Sequence, residues 1–295
     1  MAKPRIGFIG VGLMGHGMAK NIVEKGYPLT VLGHHNRKPV EDLVGRGAAE
    51  AESAAALVDR SDIVFLCVTG SPQVEEIVFA KGLLAEISGK ILADCSTAEP
   101  TSTLKVAEAV QARGGRFVDT PLVRTPKEAE EGRLVVMTGG DARTLEEIRP
   151  VLETFAEIIV HAGPLGAAHK LKLIHNFLAL ATAAAVAEAV VSAMKSGVDL
   201  KAFTEIATSG GADSVMLRRF AKHYLEGDDS AAKFAIVNAA KDLRYYTHLA
   251  ESTPTSAFIG EAAHQLFLLA SMHGFGDRYV PRLIDALAQL NGIKR

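Results

Sequence analysis

Residues 5–25 read RIGFIGVGLMGHGMAKNIVEK, and most of the fold follows from how that stretch must sit. Residues 5–9 form a short apolar run suited to a buried strand, and residues 14–25 repeat apolar side chains at helical spacing. Between them Gly10, Gly12 and Gly15 stand in G-x-G-x-x-G order, with Val11, Leu13 and Met14 in the gaps. Gly10 permits a tight turn, Gly12 lets a pyrophosphate approach the backbone, and Gly15 lets the helix pack on the strand. The following helix would aim its N-terminus at the phosphates. Three glycines at this spacing, between a strand and a helix, predict a dinucleotide site; a merely flexible turn does not call for them.

Working outward, residues 29–32, 63–68 and 91–94 are further apolar runs bounded by glycine, proline or polar residues. Helical patterns at 39–46, 72–79 and 101–113 separate them. This alternation predicts an α/β fold, a parallel sheet covered by helices on both faces. Residues 116–119 and 133–138 would extend that sheet, and 158–160 would add a last strand. From Gly166 onward only helical periodicity remains. Residues 167–196 can run as one helix, roughly 45 Å long at 1.5 Å per residue. A helix so apolar around its circumference must be buried between domains or between subunits.

The chain has 295 residues, 48% hydrophobic and 22% charged, which is the composition of an ordinary globular protein long enough for two domains. A formal net charge of −2 offers no positive field to a nucleic-acid backbone, so nucleic acid is not an expected partner. Cys67 and Cys95 form no CxxC pair, which excludes a disulfide framework and a Cys-rich zinc site. A reducing cytoplasm and no metal are therefore expected. The first residues, MAKPRIGFIGVG, read as neither signal peptide nor anchor. Residues 177–194 could pass for a membrane span, but they are alanine-rich and interrupted by Glu188, so a buried helix is expected instead, with no membrane.

Enzymes that take NAD usually carry Asp or Glu at the end of the second strand, where it binds the ribose hydroxyls. Here that strand runs into LGHHNRKP, with no acid. Asn36, Arg37 and Lys38 supply a donor and two cations that suit the extra phosphate of NADP. NADP is the preferred cofactor on this reading and NAD remains possible; an ordinary solvated basic turn is the plainer alternative.

Three ordered segments, GFIGVGLMGHGMAKNI, DCSTAEP and GPLGAAHKLKLIHN, resemble the beta-hydroxyacid dehydrogenase family, which includes 3-hydroxyisobutyrate dehydrogenase, tartronate semialdehyde reductase and sulfolactaldehyde reductase. The resemblance covers nearly the whole chain. It implies an N-terminal Rossmann domain, residues 1–163, and an all-helical domain for substrate and oligomerisation, residues 164–295, joined by a long helix. It also implies that Lys172, in the family's G-x-x-x-K-x-x-x-N motif, is the catalytic acid/base. Asn176, four residues on, shares a helix face with it and would hold the same substrate oxygen. In DCSTAEP, Thr97 would contact cofactor and Ser96 would lie near the substrate, although both residue types also suit a helix cap. Val68 would meet the adenosine side through its backbone, with Thr69 where relatives carry proline. Lys241, in KDLRYY, would reach towards cofactor and substrate, oriented by Asp242.

The substrate loop departs from the family pattern. Leu122 is followed by Val123, Arg124 and Thr125 where relatives commonly carry Ser-Gly-Gly. Sulfolactaldehyde reductase-like members carry Gly-Arg-Thr there, a closer match. Arg124 offers a fork of donors suited to a carboxylate, sulfonate or phosphate, unless it simply pairs with Glu128 or Glu130 at the surface. The expected activity is hydride transfer between NADP(H) and a small anionic 3-hydroxy acid or its semialdehyde, in a homodimer or homotetramer. Two other readings share this architecture: an imine reductase, which Lys172 argues against, and a non-catalytic NADP-binding module, which the Lys172–Asn176 pair disfavours.

Overall fold

The computed structural model describes residues 3–293. Its strands are β1 (Ile6–Ile9), β2 (Leu29–Leu32), β3 (Ala49–Ala51), β4 (Ile63–Leu66), β5 (Ile91–Asp94), β6 (Arg116–Asp119), β7 (Leu122–Val123), β8 (Leu134–Gly139) and β9 (Ala156–Gly163). Among the described residues they form one sheet in the order β3-β2-β1-β4-β5-β6-β8-β7, with β9 beside β8. The pairs from β3 through to β6 are parallel. The sheet is mixed, however, because β8 runs antiparallel to β6 and β7. The all-parallel sheet expected from the sequence is corrected at this edge. After β6 the chain runs on in the same direction through the two-residue β7 and turns back only between Val123 and Leu134, a reversal that leaves no periodicity to read.

The first-unit helices are α1 (Gly15–Glu24), α2 (Lys38–Gly45), α3 (Ala54–Asp59), α4 (Ser71–Glu75), α5 (Pro100–Ala112), α6 (Pro126–Glu130) and α7 (Ala142–Leu152). Alternation along each strand splits the core into two layers. Ile6, Phe8, Val31 and Phe65 pack with Met18 and Ile22 of α1, Leu43 of α2 and Ile148 of α7. Ile9, Val64, Leu66 and Leu92 face the other way, onto Leu57 of α3, Val74 of α4 and Val110 of α5. The central strands are buried on both faces, which is why they read as unbroken apolar runs.

Helix α8 (Ala167–Lys195) is 29 residues long. By length and a hydropathy of 1.9 it could cross a membrane, and 44% of its most apolar window is buried within this chain. The chain divides into two compact units, one ending at Lys172 and the other beginning at Leu173. The second unit continues with α9 (Leu200–Thr208), α10 (Val215–Glu226), α11 (Ile236–Ser252), α12 (Phe258–Ala270) and α13 (Leu283–Leu290). Phe220, Phe267, Leu243, Leu283 and Ile284 close its core around Leu180 and Val190 of α8. Its described residues hold no named strand beyond an isolated bridge between Ala235 and Tyr279.

Candidate active site

The glycine loop has the geometry its spacing requires. Gly10 has φ +100°, and a Cβ there would lie 2.2 Å from the Cys67 carbonyl oxygen. A Cβ on Gly15 would meet the Gly10 carbonyl at 2.0 Å, whereas one on Gly12 would meet nothing within 4 Å. Thus Gly10 and Gly15 hold β1, β4 and α1 together, while the Gly12 backbone faces open space. No side chain caps α1, and its first turn carries no acid. The positive end of the helix dipole is therefore not offset by any side chain of the cap or first turn, which suits the pyrophosphate of a dinucleotide. Val11 is buried under the loop and Leu13 is exposed at its tip. The loop fits the cofactor.

The ends of the neighbouring strands converge on a buried polar network. The Val68 N–H donates to Ser96 Oγ at 3.0 Å, tying the end of β4 to the segment after β5. The fully buried Asp94 accepts the Ser96 N–H at 2.9 Å. Burial pushes the Asp94 carboxyl up, against the opposing pull of His169 and of the Ser96 hydrogen bonds. His169 is also fully buried: Nδ1 pairs with Thr103 Oγ1 at 2.7 Å and Nε2 with the Ser96 carbonyl at 3.1 Å. Ser96 is thus a brace within this network, and Thr97 beside it is half-buried.

Asp119 controls how α8 begins. Gly166 cannot cap the helix with a side chain, so Asp119, at the end of β6, does so from 47 residues away. Its two carboxyl oxygens accept the Gly166 N–H at 2.8 Å and the His169 N–H at 2.9 Å. Those are the two donors that a capping box satisfies locally. One turn later, Lys172 Nζ donates to the Leu122 carbonyl at 2.6 Å. Lys172 is also within electrostatic reach of Cys67, at the end of β4. The predicted acid/base therefore lies at the strand ends of the unit that carries the glycine loop.

Sequence reasoning missed Asp119 and His169. A signal existed, because no Ser, Thr, Asp or Asn precedes Ala167 and the buried N–H groups of α8 demanded an outside acceptor.

Other predicted residues have partners of their own. Asn176 donates to Asp242 at 2.6 Å, and Lys241 pairs with Asp242 at 2.9 Å while lying over the Tyr245 ring. The Asn36 side chain accepts the Lys38 N–H at 3.3 Å. The Arg37 guanidinium is bidentate with Glu50, at 2.7 and 2.8 Å. Arg124 pairs with neither Glu128 nor Glu130; it donates to Glu157 and to the Arg133 carbonyl. Glu128 instead accepts the Thr125 N–H at 3.0 Å, fixing the entry to α6. The Arg124 backbone has φ +92°, left-handed for a residue with a Cβ.

Burial pushes the Cys67 thiol up to about 12, the Asp94 charge adds to the rise, and Lys172 opposes it. At pH 8 its thiolate fraction is then on the order of 10⁻⁴, against about a quarter for an ordinary thiol. Labelling of the native protein by an aromatic disulfide reagent is expected to be about a thousandfold slower than labelling of the guanidinium-unfolded chain. Native labelling within tenfold of the unfolded rate would contradict this environment.

Comparison with known proteins agrees with the geometry. The family model for the NAD binding domain of 6-phosphogluconate dehydrogenase matches residues 5–163. The model for the NAD-binding of NADP-dependent 3-hydroxyisobutyrate dehydrogenase matches residues 166–287. An NAD-dependent L-serine dehydrogenase from Pseudomonas aeruginosa is 33% identical over 292 residues, covering 95% of this chain and 98% of that one. A 2-hydroxy-3-oxopropionate reductase from Escherichia coli is 30% identical over 288 residues, covering 96% and 97%. The solved structure of Psf3 in complex with NADP+ and 2-OPP is 25% identical with a TM-score of 0.84, covering 96% of this chain and 99% of that one. Together these matches establish that the chain belongs to the beta-hydroxyacid dehydrogenase family of NAD(P)-dependent oxidoreductases, which act on CH–OH groups.

Proposed function

We propose that the chain interconverts a small anionic 3-hydroxy acid, or its sulfonate analogue, and the corresponding semialdehyde, with NADP(H) preferred and Lys172 as the acid/base. The observation that carries this reading is the Lys172 amine held on the Leu122 carbonyl, in the unit that bears the glycine loop. When bound, the nicotinamide supplies or accepts the hydride. Lys172 gives a proton to the oxygen of the aldehyde as it becomes a hydroxyl, and takes one back in the reverse direction. Its bond to the Leu122 carbonyl fixes where the amine sits. Asn176 belongs to the second unit, where its amide donates to Asp242.

Arg124 is the proposed anion receptor. A left-handed backbone at a non-glycine residue costs about 1–2 kcal/mol, and such strain collects at functional sites. Relatives commonly place glycine in this loop, so an arginine here carries that cost for its guanidinium. The Glu157 carboxylate, about half exposed, now pairs with that guanidinium. Exposed ion pairs of this kind contribute little, so a substrate carboxylate or sulfonate can replace it.

The test is NADPH consumption across a panel of three- and four-carbon semialdehydes bearing carboxylate or sulfonate groups. At least one is expected to turn over, with Arg124→Ala raising its KM tenfold or more at little cost in kcat. No turnover across the panel would overturn the reading.

A further inference from the structure

The end of β2 has no acid of its own, but an acid is nevertheless placed there. Strand β3 pairs alongside β2 with Glu50 opposite Val31 and Ala51 opposite Leu32. From that edge Glu50 reaches across to grip Arg37 through two parallel hydrogen bonds. A Cβ on Gly33 would lie 2.6 Å from Glu50 Oε1 and 2.2 Å from Arg37 Nη1. The ion pair therefore rests on the peptide that follows β2. That is the place where an NAD enzyme keeps its ribose-binding acid.

We propose that Glu50 sets the balance between the two nicotinamide cofactors. The inference rests on the reading that Arg37 receives the 2′-phosphate of NADP. A free ribose 2′-hydroxyl can donate to the Glu50 carboxylate, so Glu50 supplies from the neighbouring strand the acid that β2 lacks. A 2′-phosphate must take the Arg37 fork away from Glu50 and then sits beside a like charge. The exchange is cheap because both side chains are partly solvated, 49% exposed for Arg37 and 33% for Glu50. Arg37 favours the phosphate and Glu50 opposes it, so discrimination depends on an unfavourable contact as much as on a favourable one.

The test uses the full chain and reads binding directly, by fluorescence titration with NADPH and NADH and by competition with adenosine 2′,5′-bisphosphate. Glu50→Gln keeps the shape of the side chain and removes its charge. It is expected to tighten NADPH and the bisphosphate about tenfold and to weaken NADH about threefold. Arg37→Ala is expected to weaken NADPH and the bisphosphate more than tenfold while leaving NADH within threefold. If Glu50→Gln moves both cofactors by the same factor, or neither, while Arg37→Ala acts selectively, the role of Glu50 is overturned and the phosphate site stands. If Arg37→Ala shows no selectivity either, the phosphate site falls with it.

Discussion

Asp119→Ala is expected to lower the first unfolding transition by about 10 °C. The substitution leaves the Gly166 and His169 N–H groups without their acceptor. Asp119 is fully buried, so water does not readily replace the lost partner. Each stranded donor costs about 1–3 kcal/mol. For a protein of this size one kcal/mol corresponds to roughly 2–4 °C in Tm. Differential scanning calorimetry checks the value, and a shift under 2 °C would mean that the cap is dispensable. The damage should also reach catalysis, because the first turn of α8 positions Lys172. Asp119→Asn, which retains one acceptor, is expected to lower kcat while the NADPH Kd stays within twofold. Equal losses in both would indicate general disorder of the unit instead.

Lys172→Met is expected to cost about 10³-fold in kcat, within the 10²–10⁴ that a positioned acid/base contributes. Methionine retains the length and apolar stem of lysine, so the packing along α8 should survive. What disappears is the proton donor to the carbonyl oxygen and the hydrogen bond to Leu122. KM for the semialdehyde should change far less than kcat, because the proton moves in the transition state and not on binding. A variant that retains wild-type kcat would assign the proton to another group.

The legible parts of the chain were those with dense local signals. The glycine loop could be read because three backbone requirements fall within six residues. The central strands could be read because burial on both faces makes them uniformly apolar. Lys172 could be singled out only through a motif that reaches forward to Asn176, since a lysine on a helix is otherwise unremarked. The illegible parts depend on distance. Strand β3 is three residues, Ala-Glu-Ala, with two exposed, so it carries no apolar run; yet it delivers Glu50 to Arg37. Asp119 caps a helix that begins 48 residues later, and His169 acquires meaning only when Thr103 and Ser96 arrive from other elements. The reversal that follows β7, which makes β8 antiparallel and begins with Arg124 in a left-handed conformation, leaves no period to detect. The plainer alternative, Arg124 paired with Glu128 or Glu130, failed for the same reason: its partner, Glu157, lies on β9.

The most direct test of the central claim is a single-turnover stopped-flow measurement on wild-type protein and Lys172→Met, each with NADPH prebound at a concentration set from its own measured Kd. The expected result is NADPH affinity within twofold of wild type and hydride transfer slowed about a thousandfold. Hydride transfer within tenfold of wild type would contradict Lys172 as the proton-transfer group.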